Sequence, residues 1–303
     1  MAERRVIDVV SVTDRRYAPL VGVVAFSIAR HLGSATSVRY HVLYEGAGGE
    51  PTPTAMPEGI ELVRHPVTGV FAALERGGHV SVATYLRLLI PEALAHIDRV
   101  IYLDLDLVVL DDLTALFDAD IGEAPYAGVL DFPLYNQLAR EGQQSWRHHH
   151  TRRYLGRLGL DPRKLRYVNA GVALMQLGRL REIDFSRRAT EVALRRGDKL
   201  RWLDQDVVNL LLREEIAVLD RRWNSIVGTK DVDLGDPSQR PSIVHFASPD
   251  KPWLPQAKAT DRDLWSDYAS RAGVRATDIL PAPPFLERPQ RTLLQRLLGI
   301  RTT

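Results

Sequence analysis

Several absences limit what this chain can be. None of its 303 residues is a cysteine, which excludes disulfides, thiolate metal sites, iron–sulfur clusters and cysteine nucleophiles. No apolar run approaches the roughly 20 residues that a membrane-spanning helix needs. The first residues pass directly into the strand-like run 6–10, which is too short for the apolar core of a signal peptide. We therefore expect a cytoplasmic protein.

The chain also has little excess charge of either sign. It carries 40 Lys and Arg against 38 Asp and Glu, a formal net charge of +2. So small an excess gives weak long-range attraction to phosphate backbones, and we expect no nucleic-acid partner. Hydrophobic residues make up 45% and charged residues 26%, which is typical of a globular protein rather than a disordered one.

Strand-like and helix-like segments alternate along the first half of the chain. A β-branched run at 6–12 is followed by a helical segment at 18–32, and a second helix is predicted at 84–94. The strongly apolar run 99–110 predicts one continuous strand, whereas the polar, cationic stretch 142–166 predicts a surface loop. This alternation favours an α/β fold whose central sheet is covered by helices on both faces.

The composition changes near residue 281. The proline-rich stretch 281–284 predicts a linker, and the segment 288–301 carries four arginines, no acid and a stripe of leucines at helical spacing. We predict one domain over 1–280 and a linker with a basic amphipathic helical tail over 281–303. The tail could lie on an anionic membrane surface or pack back on the domain.

Two aspartates follow the most apolar strand. Asp104 and Asp106 are separated by Leu105, and alternate residues of a strand point to the same side. Two anions beside apolar residues repel each other unless a cation joins them, and an all-oxygen pair suits Mg²⁺ or Mn²⁺. The alternative interpretation is a turn at the strand end with solvated carboxylates.

Other polar residues lie in apolar surroundings and need partners. For each of them a structural interpretation stands beside a functional one. Arg87 could pair with a structural carboxylate, Asn169 could mark a bulge beside Gly171, and His245 could be a satisfied core histidine. Asp14 and Asp204 could each cap a helix.

Five sequence blocks occur in one order and spacing over roughly residues 6–255. They are SVATYLRL (81–88), VIYLDLDLV (100–108), VNAGVAL (168–174), LDQDVVN (203–209) and VHFASPDKPW (244–253). Together they resemble glycosyltransferase family 8, the retaining enzymes that include lipooligosaccharide galactosyltransferases and glycogenin. The resemblance implies a single nucleotide-sugar-binding domain of the GT-A type, with a mixed, mostly parallel central sheet flanked by helices.

The resemblance also implies an activity. It predicts transfer of glucose or galactose from a UDP-sugar to a hydroxyl of a glycan, lipid-linked or small-molecule acceptor, with Mn²⁺ or Mg²⁺ as cofactor. Family members that modify lipid-linked glycans have a comparable basic tail, so we favour peripheral contact of the tail with the inner face of the membrane.

Site residues follow from the same resemblance. It implies Asp104, Asp106 and His245 as metal ligands. It places the UDP-sugar on Thr13, Asp14, Tyr17, Arg87, Asp104, Leu105, Asp106 and Lys251. It assigns contacts at the transferred sugar and the reacting carbon to Asp131, Asn169, Asp204 and Gln205.

Three alternative functions would each require particular sequence features. A nucleotidyltransferase would carry a Gly-rich, basic phosphate loop, and none follows Val12. A sugar-nucleotide-binding module without transfer activity would have lost one of the four charged or metal-binding residues, all of which are present: Asp104, Asp106, His245 and Lys251. Self-glycosylation of a tyrosine, as in glycogenin, stays open because ten tyrosines are available.

Overall fold

The computed structural model describes residues 4–45, 50–53, 55–68, 83–138, 146–161, 166–227 and 240–280. The predicted linker and tail over 281–303 lie outside these residues. The strands are β1 Arg5–Thr13, β2 Thr36–Glu45, β3 Ile60–Val67, β4 Arg99–Leu103, β5 Leu107–Val109, β6 Tyr126–Leu130, β7 Val168–Gln176, β8 Ile216–Val218, β9 Ser225–Ile226 and β10 Ile243–His245. The helices are α1 Leu20–His31, α2 Ala83–Leu86, α3 Ile90–Ala93, α4 Thr114–Phe117, α5 Phe132–Leu138, α6 Trp146–Leu158, α7 Leu177–Glu182, α8 Phe185–Arg196, α9 Leu203–Leu212 and α10 Ala259–Arg271.

The strands form two sheets in the described part of the chain. The larger has the order β3-β2-β1-β4-β7-β6-β8, and only the pairs of β7 with β4 and β6 are antiparallel. The smaller has the order β5-β10-β9. This mixed, mostly parallel sheet confirms the predicted α/β fold class.

The larger sheet is buried on both faces. In β1, Ile7 and Val9 belong to the core that includes α1, α10 and the smaller sheet, whereas Val10 and Val12 belong to the core that includes α8 and α9. A strand with two buried faces is apolar nearly throughout, which accounts for the β-branched run that identifies it in the sequence. Among the described helices, none is both long and apolar enough to cross a membrane.

The run 99–110 is not one strand, as its apolarity predicts, but two strands in different sheets. The change occurs at the aspartate pair. The Asp104 N–H donates to the carbonyl of Gly171 in the larger sheet at 2.7 Å, and the Asp106 carbonyl accepts from the Phe246 N–H after β10 at 2.8 Å. The bend therefore carries the chain from one sheet to the other.

One helix prediction and one loop prediction also need correction. The predicted helix 84–94 is interrupted by a 3₁₀ turn at Arg87–Leu89, because Pro91 has no N–H and crowds the carbonyl four residues earlier, which is that of Arg87. The predicted loop 142–166 contains α6. Thr151, Leu155 and Leu158 form a buried stripe at helical spacing on it, which the surrounding charges concealed in the sequence.

Candidate active site

The candidate site lies where the chain leaves one sheet for the other. Asp104 and Asp106 occupy the bend between Leu103, the last residue of β4, and Leu107, the first of β5. β10 pairs antiparallel with β5, and its register sets His245 opposite Leu107. The imidazole therefore reaches the same point as the two carboxylates, beyond the carboxyl end of a central strand, where open α/β sheets bind ligands.

These three side chains could hold a divalent cation. The His245 Nε2 lies 3.2 Å from Asp106 Oδ1 and 3.8 Å from Asp104 Oδ2, and one ligand atom from each residue lies within 4.8 Å of the others. Two carboxylate oxygens and one imidazole nitrogen suit Mn²⁺ or Mg²⁺. Gly171 leaves room for them, since a Cβ there would lie 2.2 Å from the His245 ring. The intervening Leu105 is turned into the core.

A lysine compensates one carboxylate of the pair. The Lys251 ammonium donates to Asp106 Oδ2 at 2.5 Å and to the Phe246 carbonyl at 2.7 Å. Burial raises the pKa of the Asp106 carboxyl, but the charges of Lys251 and His245 outweigh it and hold that pKa well below its usual range. Asp106 is therefore ionised at neutral pH.

The Arg87 side chain links Asp104 to Asp204, a residue of helix α9. Its guanidinium donates to Asp104 Oδ1 and to the Ala170 carbonyl, each at 2.8 Å, and its Nε lies 2.8 Å from Asp204 Oδ2. It also lies over the Tyr102 ring, 4.5 Å from the centroid. Burial raises the pKa of Asp204 to about 7, against the lowering effect of Arg87. The sequence-based alternative for Arg87, a carboxylate partner within the protein, is thus present in the structure.

A cluster of amides forms the opposite wall. Gln205 Oε1 accepts from the Asn169 side chain and from the Ala170 N–H, both at 3.1 Å. Gln205 Nε2 donates to Asp131 Oδ2 at 2.9 Å. The other oxygen of Asp131 accepts from the Leu134 N–H at 2.9 Å and caps α5. Strand β7, helix α9 and the end of β6 therefore present their polar side chains to each other.

Both walls face one cavity of about 780 Å³. Of the predicted site residues, those that line it are Arg87, Asp104, Asp106, Asp131, Asn169, Asp204, Gln205 and His245. Sequence reasoning did not single out several other lining residues, among them Trp202, Gln256, Lys258 and Asp261. The structure thus brings together residues that are up to 158 positions apart in the sequence, from 87 to 245.

The residues predicted at the end of β1 lie to one side of this cavity. Thr13 is buried, and Asp14 Oδ1 accepts from the N–H groups of Arg16 and Tyr17 at 2.9 and 3.0 Å, which fixes the turn before α1. The Tyr17 ring lies under the Arg16 guanidinium, 4.5 Å from its centroid, and edge-on to Trp253 at 6.0 Å. Tyr17 therefore contacts the same turn that carries the lysine of the site.

Sequence reasoning missed Asn224. Its side chain is 2% exposed and hydrogen-bonds to both His245 and Asn169. It belongs to no motif block and follows two arginines. The one signal is a short amide side chain between Trp223 and a strand, where burial demands a partner.

The mixed, mostly parallel sheet flanked by helices, with a candidate metal cluster at the carboxyl end of a central strand, is a fold of the GT-A type. The family model described as glycosyl transferase family 8 matches residues 8–257. The chain belongs to this family, which confirms the expectation from the five sequence blocks.

Known relatives extend the comparison. The glycosyltransferase GlyF of Streptococcus pneumoniae is 28% identical over 204 residues, or 66% of this chain and 44% of GlyF, so this chain spans less than half of that relative. General stress protein A of Bacillus subtilis is 24% identical and covers 89% of this chain and 95% of its own length. The crystal structure of the galactosyltransferase LgtC with donor and acceptor sugar analogs superposes with a TM-score of 0.66 at 24% identity, over 92% of this chain and 98% of LgtC, and shares the fold.

Proposed function

We propose that this chain is a metal-dependent retaining hexosyltransferase that moves glucose or galactose from a UDP-sugar to an acceptor hydroxyl. One observation carries the proposal: Asp104, Asp106 and His245 share a cavity with the amide wall of Asn169 and Gln205. The first group suits a cation with a diphosphate, and the second suits sugar hydroxyls. Family membership supports the reaction class, and the E. coli lipopolysaccharide 1,2-glucosyltransferase, 26% identical over 211 residues, is one such relative.

The diphosphate of the UDP-sugar donor would be bound by charged groups of the site and by a cation. Asp104, Asp106 and His245 would hold Mn²⁺ or Mg²⁺, and the bound ion supplies Lewis-acid stabilisation of the departing diphosphate. Lys251 already lies against Asp106, so its ammonium is placed to offset negative charge on the leaving group. Arg87 would serve the same end of the donor from the opposite side.

The sugar and the nucleoside would take the remaining predicted residues. We assign sugar hydroxyls to Asn169, Asp204 and Asp131, whose oxygens and amides face the cavity. We assign the ribose and uracil to the end of β1, through Thr13, Asp14, Tyr17 and backbone groups of Leu105. Stacking of a base on Tyr17 would use the ring face that Arg16 does not cover.

Retention of configuration is best served by attack on the front face of the sugar. The acceptor oxygen forms its bond to the anomeric carbon as the phosphate oxygen leaves from the same face with the bonding pair. The acceptor proton passes to the departing phosphate, and UDP is released. Gln205 is a poor covalent nucleophile, because its amide oxygen already accepts two hydrogen bonds. Trapping of a glycosyl–enzyme adduct would overturn this step, whereas appreciable transfer by Gln205→Ala would support it.

Donor hydrolysis tests the proposal without knowledge of the acceptor. The full chain is incubated with UDP-, GDP- and TDP-hexoses in Mn²⁺ or in EDTA, and nucleotide release is measured. We expect UDP from one sugar nucleotide only, abolished by EDTA and by Asp106→Ala. Asp98→Ala is the matched control, because its carboxylate is 94% exposed and its ion pair within the described part of the chain is with Arg181 alone. Absence of both hydrolysis and UDP binding would refute the proposal, and binding without turnover would favour a sugar-nucleotide-binding module.

Two further predictions concern self-glycosylation and membrane contact. We do not favour self-glycosylation, since none of the ten tyrosines, all within the described residues, lines the cavity. The membrane contact of the tail over 288–301 would show as cosedimentation of the full chain with anionic lipid vesicles. Replacing its four arginines with glutamine should abolish that binding.

A further inference from the structure

The side chain of Asn224 bridges the two walls of the candidate site. Its Oδ1 lies 2.9 Å from His245 Nδ1, and its Nδ2 donates to Asn169 Oδ1 at 2.8 Å. Asn224, His245 and Asn169 are all buried. An amide so placed can fix the orientation of a metal-binding imidazole and of a sugar-binding amide together.

A backbone group sets the direction of these hydrogen bonds. The Gly171 N–H donates to the Asn169 side chain at 2.9 Å, and because a backbone N–H only donates, the atom it meets is oxygen. Asn224 must then present its NH₂ group to that oxygen, which leaves its carbonyl oxygen for His245. A carbonyl oxygen only accepts, so His245 Nδ1 carries a hydrogen, and Nε2 is the ring nitrogen that faces the carboxylates of Asp104 and Asp106 and would bind a cation there.

A second backbone group orients the far end of the same chain of amides. The Ala170 N–H donates to Gln205 Oε1, and this fixes Gln205 Nε2 as the donor to Asp131. Asn169 Nδ2 donates to the same Gln205 oxygen. Hydrogen bonds therefore run in one consistent direction from His245 through Asn224 and Asn169, and meet those of Gln205 without a clash of donors.

The backbone around Asn224 is fixed on both sides. Asn224 ends the 3₁₀ turn Arg221–Asn224, which Asp220 caps by accepting from the Arg222 N–H at 2.9 Å. β9 begins directly after it and pairs with β10, with Ile226 opposite His245. Asn224 thus directly precedes a strand that pairs with the strand of His245, and this pairing fixes the separation of the amide and the imidazole.

We propose that Asn224 is a positioning residue that holds His245 in the tautomer required for metal binding and at the same time holds Asn169 for the donor sugar. It acts through these two residues and touches neither the cation nor the sugar. The inference rests on the proposed function for its purpose, but its first test does not.

The imidazole tautomer is the first measurement. Nitrogen-15 NMR of the histidine rings in the full chain, in EDTA and at alkaline pH, reports which nitrogen carries hydrogen, and His245→Ala assigns the signal. The Asn224 oxygen favours the Nδ1–H form, whereas the Asp106 carboxylate beside Nε2 favours the Nε2–H form, so the share of the Nδ1–H form should fall in Asn224→Ala. An unchanged tautomer in Asn224→Ala would overturn the proposal.

Asn224→Asp separates the two tasks of the side chain. It keeps an oxygen for the His245 hydrogen but offers no hydrogen to Asn169. We expect Mn²⁺ affinity, measured by electron paramagnetic resonance, to fall roughly 10- to 100-fold in Asn224→Ala and to stay within about 3-fold of wild type in Asn224→Asp. The preference of the site for UDP-sugar over UDP should fall in both variants. Equal Mn²⁺ affinity for the wild type and Asn224→Ala would contradict the proposal.

Asn209→Ala controls for the loss of a buried amide. Asn209 is 1% exposed and bonds to backbone groups of Val168 and Gln205, so its removal should lower the melting temperature without changing the His245 tautomer. If the wild type binds neither Mn²⁺ nor UDP, the proposed function fails, and the tautomer still decides whether Asn224 orients His245. A variant of Asn224 that does not fold is replaced by Asn224→Ser, for which the same tautomer change is expected.

Discussion

Two aspartate pairs with the same spacing end in opposite environments. Asp104 and Asp106 lie in an extended bend, and both carboxylates reach His245. Asp204 and Asp206 lie in the first turn of α9, where residues two apart point to nearly opposite sides. Asp204 therefore meets the arginine of the site, whereas Asp206 accepts from tyrosines in the core, Tyr154 at 2.5 Å and Tyr167 at 2.6 Å.

The electrostatics of the two pairs differ accordingly. Lys251 and His245 outweigh burial at Asp106 and keep the pKa of that carboxyl low. Burial dominates in the second pair and raises the pKa of both Asp204 and Asp206. Asp106 is kept ionised and suits a cation, while burial favours protonation of Asp204 and Asp206. Spacing alone does not distinguish them, because the backbone decides where the side chains point.

The Asp206 carboxylate also stabilises the turn before α9, beside the candidate site. Asp206 Oδ2 also accepts from the Trp202 N–H at 2.7 Å. The next residue, Leu203, has a φ of 50°, a left-handed conformation that is uncommon for a bulky side chain. Asp206 thus helps to hold the turn that sets Asp204 and Gln205 at the cavity.

Alanine substitution of one aspartate in each pair should give the largest difference, in activity for one pair and in stability for the other. Asp106→Ala should reduce donor hydrolysis by about 10²- to 10³-fold, as expected for loss of an electrostatic group at the reacting centre. Its free energy of unfolding should fall by less than that of Asp206→Ala, because Asp106 borders the cavity, where water can replace the lost carboxylate beside Lys251. Asp206→Ala should lower the free energy of unfolding by about 3 kcal/mol, because three buried or partly buried donors, the hydroxyls of Tyr154 and Tyr167 and the Trp202 N–H, lose their acceptor. Urea denaturation and UDP release measure the two quantities, and the reverse pattern would refute the comparison.

A smaller substitution, at Gly171, can displace the side chains around Asp104 and Asp106 without removing a charge. A Cβ at Gly171 would lie 2.2 Å from His245 Cε1 and 2.8 Å from Asp104 Oδ2, so Gly171→Ala must displace one of the side chains of the candidate metal site. We expect Mn²⁺ affinity to fall by about 10-fold or more, as when a group supporting a ligand is disturbed. Mn²⁺ titration followed by electron paramagnetic resonance measures it.

The matched control for this substitution is Gly156→Ala. Gly156 lies in α6, and a Cβ there would meet no atom within 4 Å. Alanine should leave Mn²⁺ affinity unchanged and stabilise the helix by up to about 1 kcal/mol. Normal Mn²⁺ affinity in Gly171→Ala would mean that the three side chains do not form the metal site.

The sequence predicts this fold and much of this site for identifiable reasons. β1 and α1 are recognised in the sequence by nearly continuous apolar runs, because both elements are buried on almost every side. The five sequence blocks locate most of the cavity, because each supplies a polar residue inside an apolar segment. The Pro91 interruption was also readable, since proline constrains the residue four positions earlier.

Other features depend on contacts that no local pattern encodes. The bend at Asp104 and Asp106 changes sheets because β10, more than 130 residues later, pairs with β5. Asn224 has no motif, and its role exists only because His245 and Asn169 converge on it. The stripe of α6 escaped notice because Thr151 stands where an apolar residue would have completed the pattern.

The smallest expected effect tests the difference in carboxyl pKa between Asp204 and Asp106. The pKa of Asp204 in the folded protein is about 7, above its unfolded value of about 4. The folded state therefore binds the proton more tightly, and the stability that this carboxyl contributes is present below about pH 4 and lost as the pH rises through about 7. Asp204→Asn keeps the shape of the neutral acid but does not titrate.

Measured in EDTA, the free energy of unfolding of Asp204→Asn minus that of the wild type should rise between about pH 4 and pH 7 and then level off. We expect a slope on the order of 0.5 kcal/mol per pH unit, below the ceiling of about 1.4 for one full proton. Asp98→Asn, at an exposed site, should show no such slope. A difference that stays flat between pH 4 and pH 7 would mean that Arg87 outweighs burial and keeps Asp204 ionised, because the folded pKa would then lie at or below the unfolded one. Asp106 and Asp204 would then share one electrostatic state, and only the direction of their side chains would distinguish them.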